Sequence, residues 1–175
     1  GNGYVGAVPN GKEFWSAIAS GAFDAQGFSL KGAWVPWYNV HKTFAGLRDA
    51  WLIAHSEQAR DVLVRLADWC DQLLTGLSDE KVQIMLRAEH GGMKEVLADV
   101  FAITGDKKYL ALAERVSHRA TLEPLLRHED QLTGKHANTQ IPKVIGFARI
   151  AELGGEPGWR EAAEFFWQTV VEHRT

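Results

Sequence analysis

Apolar positions recur at helical spacing through most of the chain. Val40, Phe44, Leu47, Trp51 and Leu52 fall on one helical face running to His55. A second run follows almost at once, with Val62, Leu63, Leu66, Trp69, Leu73 and Leu74, and Gly76 ends it. The same pair then returns. Met93 to Thr104 is apolar at Val96, Leu97, Val100, Phe101 and Ile103 and stops at Gly105, and Asp106 caps a partner carrying Tyr109, Leu110, Leu112 and Val116. A third pair runs from Ile141 through Val144, Ile145, Ala148 and Ile150, then from Trp159 through Phe166 and Val171.

The segments Ala50–Ala54, Asp99–Ile103 and Ala148–Glu152 are equivalent, and their starts lie 49 residues apart in both steps. Three helical hairpins at a near-constant period predict an all-α fold, with no alternating strand pattern to compete. The period is too long for tetratricopeptide-like units of ~34 residues. It leaves room for loops such as 86–92 and 125–138, which a closed ring of paired helices gathers at one end of its axis. The segment 1–36 differs: seven glycines and two prolines predict loops around one short helix near 12–20, ahead of the hairpins in 37–175.

Composition narrows the function. The chain has 175 residues, 46% apolar and 23% charged, with a formal net charge of −3. That is a globular composition with material for a core, and it holds no basic surplus for a nucleic acid backbone. No run approaches the ~18 apolar residues of a membrane span. Cys70 is the single cysteine, so no disulfide forms within the chain, and its apolar helical setting marks a buried thiol. Compartment and oligomeric state stay open.

His41, His90 and His136 keep step with the repeat at intervals of 49 and 46 residues, each expected to precede the inner helix of a hairpin. Equivalent positions in a ring point to one end, so the imidazoles are expected to converge on a shared polar pocket. Each offers one donor and one acceptor for sugar hydroxyls and titrates near neutrality. A tri-histidine metal site is the alternative. Trp37 stands beside the first histidine, Glu89 beside the second, and Asn138 beside the third, which makes aromatic and hydrogen-bonding groups available to a carbohydrate. His55, His118, His128 and His173 are out of register and read as surface or helix-end residues. Trp51 and Trp69 read as core. Gly1-Asn2-Gly3-Tyr4-Val5-Gly6 matches a dinucleotide fingerprint but lacks the preceding strand, and Glu89 and Glu95 are poorly spaced for a carboxylate pair.

Four blocks carry a resemblance: Gly3-Tyr4-Val5-Gly6-Ala7-Val8-Pro9-Asn10-Gly11, Trp37-Tyr38-Asn39-Val40-His41-Lys42, Glu89-His90-Gly91-Gly92-Met93 and His136-Ala137-Asn138-Thr139-Gln140-Ile141-Pro142-Lys143. In this order they resemble glycoside hydrolase family 127, the β-L-arabinofuranosidases. The resemblance implies an (α/α)6 barrel, of which three hairpins are about half. It also implies retaining, exo-acting hydrolysis of plant-type arabinose glycans. The family's chemistry uses a cysteine nucleophile, a glutamate acid/base, and a zinc ion held by a glutamate and three cysteines. Those residues follow the His-Ala-Asn-Thr-Gln block in the family, and 35 residues follow Gln140 here. None is expected within this chain. What carries over is sugar binding at His41, His90 and His136, with no catalytic or metal residue assigned and an isolated chain expected to be inert and aggregation-prone. Lys94 stands where an asparagine is usual. Two other readings remain: a sugar epimerase of the N-acylglucosamine 2-epimerase type, and a non-catalytic helical scaffold.

Overall fold

The computed structural model describes residues 1–174, and its elements follow the hydrophobic pattern closely. Among the described residues the first helix is α1 (Gly11–Ala19), followed by a small antiparallel meander of β1 (Ala25–Gln26), β2 (Ser29–Leu30) and β3 (Ala33–Trp34). The three expected hairpins are α2 (Pro36–Leu52) with α3 (Glu57–Thr75), α5 (Met93–Thr104) with α6 (Lys107–Arg115), and α8 (Ala137–Glu152) with α9 (Gly158–His173). Two further short helices, α4 (Asp79–Met85) and α7 (Arg119–Leu126), lie between them. The fold is all-α apart from the meander. No helix among the described residues is long and apolar enough to cross a membrane.

Local chemistry explains the boundaries. Ser56, Ser78 and Asp106 accept from backbone amides at the starts of α3, α4 and α6. Gly105 ends α5 in the left-handed conformation at φ +75°. Pro36 opens α2, where its missing N–H costs nothing and its fixed φ is already helical. Arg115 donates to the carbonyls of Leu74, at 2.9 Å, and Leu77, satisfying orphan acceptors where α3 ends. Gln83 donates to Ser117 O at 3.0 Å and accepts from Arg119 N at 2.9 Å, which fixes α4 against the turn that leads into α7.

Packing places α5 between α2 and α8, with each partner helix lying against its own hairpin mate. The main core runs from α1 to α6. Trp15, Trp37 and Trp69 form its aromatic centre, with Trp15–Trp37 ring centroids at 4.8 Å and Trp15–Trp69 at 5.1 Å. Cys70 is fully buried there, and burial pushes its thiol up. Trp51, expected as core, is only half-buried and lies under Arg60. A smaller cluster around Phe147, Leu122 and Phe166 joins α7, α8 and α9.

A polar strap crosses the three first helices. Arg48 on α2 bonds Glu95 Oε1 at 3.1 Å and Asp99 Oδ2 at 2.7 Å, both on α5. Arg149 on α8 bonds the other Asp99 oxygen at 2.8 Å. One buried carboxylate therefore holds two guanidinium groups from neighbouring helices. Glu95 is occupied by this strap, which separates its role from that of Glu89.

Candidate functional site

Register in sequence and position in structure diverge for the three histidines. His41 lies inside α2, His90 in the turn before α5, and His136 at the N-cap of α8. The cause is Pro36, which starts α2 more than a turn ahead of His41. His41 and His90 thus meet at the turn before α5, and His136 stands at the start of α8.

His41 is buried against the Gly91–Gly92 backbone. A Cβ on Gly91 would lie 2.6 Å from His41 Nδ1, and one on Gly92 would lie 2.9 Å from Nε2. Gly91 also takes φ +56°, so only glycine suits that turn on both counts. The close approach to these two glycines is made by an imidazole. His90 is fully buried, and its Nδ1 lies 3.0 Å from Ala88 O. A carbonyl only accepts, so Nδ1 carries the proton and Nε2 keeps a lone pair with no partner.

Glu89 is held from two sides. Its Oε1 accepts from Gly91 N at 2.8 Å, and its Oε2 faces Lys143 Nζ at 3.5 Å, with both side chains almost completely buried. The meander sets its backbone, because Glu89 N donates to Gly27 O at 2.7 Å. Lys94 is stranger. Its amine is fully buried with no hydrogen-bond partner and lies 5.0 Å from the centroid of the Phe147 ring. Its stem passes over Gly146, where a Cβ would collide with Lys94 Cγ.

Electrostatics keep this layer uncharged wherever it can be. Burial, then Lys42, Arg48 and Lys94, lower His41 to about 4. Burial, with Lys94 and Lys143, holds His90 well below the usual histidine range. Burial, with Lys143 beside it, brings Lys94 down to about 7 against the pull of Glu89 and Glu95. His41 and His90 therefore do not titrate near neutrality, contrary to the sequence expectation. As neutral rings they present both a donor and an acceptor.

A cleft of about 310 Å³ opens beside this layer. Glu89, Lys143, His118, His136, Thr139 and Gln140 are among the residues lining it. The sequence left His118 as a helix-end residue, and it is the N-cap of α7, yet its ring also meets that of His90 at 5.8 Å. Burial, then Lys143, Lys94, Lys135 and Arg87, bring His118 down to about 3. Lys143 was equally overlooked. Its signal was legible: 136, 140 and 143 fall on one helical face. His118 had none, since α7 itself was not expected.

Of the residues singled out in the sequence, the cleft brings together Glu89 and His136. His41 and His90 are buried and do not line it. Asn138 is exposed in the first turn of α8. Trp37 is 2% exposed in the aromatic core with its indole N–H unpaired, and it does not line the cleft. Among the described residues no group of three or more His, Cys, Asp or Glu side chains could hold a metal ion. Cys70 is fully buried in the core formed by α1 to α6.

The cleft thus presents imidazole, hydroxyl and amide groups together with the charged side chains of Arg87, Glu89, Lys135 and Lys143. The chain's class follows from its sequence. Residues 1–175 match the family model for the β-L-arabinofuranosidase catalytic domain of glycoside hydrolase family 127. The chain belongs to that family, and carbohydrate is its class of substrate. A comparison with curated proteins returned no match.

Proposed function

We propose that this chain forms the sugar-recognition part of a retaining, exo-acting hydrolase that releases β-L-arabinofuranose from plant-type arabinose glycans. The observation that carries the reading is the cleft lined by Glu89, Lys143, His118, His136, Thr139 and Gln140, with His90 buried against His118, in a chain matched by the family along its length. His136 and Asn138, being exposed, contact the sugar at the mouth of the cleft. Glu89 holds the Gly91 turn and Lys143 in place, and that turn seats His41. His90 acts through His118, which reaches the cleft. Trp37 supports α2 from the core.

Zinc-dependent cysteine chemistry is the family's expected route, and in this reading His41, His90 and His136 serve recognition rather than that chemistry. Residues 1–175 by themselves bind sugar without turnover. The test is an assay of the 175-residue chain on an aryl β-L-arabinofuranoside, with and without zinc, alongside binding of methyl β-L-arabinofuranoside. Binding without hydrolysis supports the reading. Clear turnover overturns the division of labour, and absence of binding overturns the recognition role.

A further inference from the structure

The cleft is strongly one-sided in charge. Arg87, Lys135 and Lys143 line it against the single carboxylate of Glu89. Glu89 already faces Lys143 across 3.5 Å, while Arg87 and Lys135 are exposed and make no side-chain ion pair among the described residues. His118 feels the same field: after burial, Lys143, Lys94, Lys135 and Arg87 are what hold it low. Helix α8 begins at this cleft through His136 with no side chain capping its first amides, which adds the positive end of a sixteen-residue helix. Thr139, Gln140 and Thr121 supply neutral hydrogen-bonding groups in the same walls. Phe28 completes one side, and its ring stacks on exposed Trp34 with centroids 5.2 Å apart.

A neutral pentose uses the hydroxyl partners and the aromatic wall but leaves the cations without a counter-charge. We propose that this cleft binds a carboxylate-bearing sugar residue of an acidic glycan, its carboxylate held by Arg87 and Lys135 and the start of α8, its ring beside Phe28. The proposal rests on the carbohydrate-active reading above and refines its substrate. Arg87 offers a fork that matches a carboxylate with two parallel bonds, and Lys135 adds a mobile charge. Lys143 is held in place by Glu89 and sets the field from the floor.

The test uses the full protein as expressed, titrated with methyl α-D-galacturonide, methyl α-D-galactoside and inorganic phosphate. The galacturonide is expected to bind about 10-fold or more tightly than the galactoside at ~0.05 M salt, with the gap closing towards ~0.5 M. Replacing both exposed cations, Arg87→Gln with Lys135→Gln, removes the preference while circular dichroism stays unchanged, and Lys135→Arg retains it. Equal binding of the two sugars overturns the proposal. Phosphate binding as tight as the galacturonide also overturns it, because the site is then a plain anion site. Hydrolysis of an arabinofuranoside without any acid preference defeats this inference alone. Galacturonide binding without arabinofuranoside hydrolysis or binding supports the acidic cleft and defeats the arabinose reading.

Discussion

Two polar layers cross the same three helices, and they are built on opposite principles. The strap of Arg48, Asp99 and Arg149 is satisfied: each Asp99 oxygen has a guanidinium partner within 2.8 Å, and Arg149 also reaches Glu152 at 3.0 Å. The layer at the starts of α5 and α8 is not. His41, His90, His118 and Lys94 each carry a buried nitrogen with no partner. Native interiors pair nearly all their buried polar groups, so a cluster of exceptions needs a reason. The satisfied strap joins helices. The unsatisfied layer includes His118, which lines the cleft, and His90, whose ring meets that of His118. Polar satisfaction is what distinguishes these two layers, although the aromatic core also leaves the indole N–H groups of Trp15 and Trp37 unpaired.

Lys94→Met is the sharpest way to break that contrast. A buried amine lowered from 10.5 to about 7 penalises the fold below the unfolded pKa, fully below about pH 7, and the penalty lifts as pH rises towards 10.5. The variant is expected to be more stable than the parent by roughly 3 kcal/mol at pH 7, with the difference vanishing near pH 10.5. Urea denaturation across that pH range measures it. Asp99→Ala does the opposite. It strands two guanidinium groups that are only partly exposed, and the expected loss is about 2–3 kcal/mol, moderated by their access to water. A gain from the first and a loss from the second is the signature of the two layers.

Gly146→Ala probes the border between them. Its methyl group would collide with the Lys94 stem, and overpacking there is expected to cost about 1–3 kcal/mol. Lys94→Ala should relieve much of that cost, so a double-mutant cycle of thermal unfolding reads out a coupling of about 1 kcal/mol. Additive effects would show that the two residues do not share the space. The smallest expected effect is at Lys135→Gln, an exposed side chain. Its unfolding midpoint should stay within about 0.5 kcal/mol of the parent while acidic-sugar binding falls.

The hairpins were legible because their apolar faces repeat at 3.6 residues, and capping residues such as Asp106 and Gly105 marked their limits. Helix α4 was signalled by Ser78 followed by Asp79 and Glu80, a start too short to register beside the long periodic runs. Helix α7 carries Pro124 inside it, which argued against a helix at all. The meander could not be read by alternation because each of its strands is two residues long. The site was legible at Glu89, His90 and His136 as wording, but not as geometry. A constant period does not guarantee equivalent positions once Pro36 starts one helix early. His118 came to the layer through a turn fixed by Gln83, a long-range contact that no local pattern encodes.

The proposed sugar site has His118 and His136 in the cleft, backed by the buried, neutral His90 and by His41. Imidazole resonances followed by NMR from about pH 5 to 8, with and without methyl β-L-arabinofuranoside, test it most directly. The prediction is that His41, His90 and His118 show no titration across that range, and that the sugar shifts His118 and His136. Titration of His41 or His90 near 6.5, or a spectrum that the sugar leaves unchanged, would contradict it.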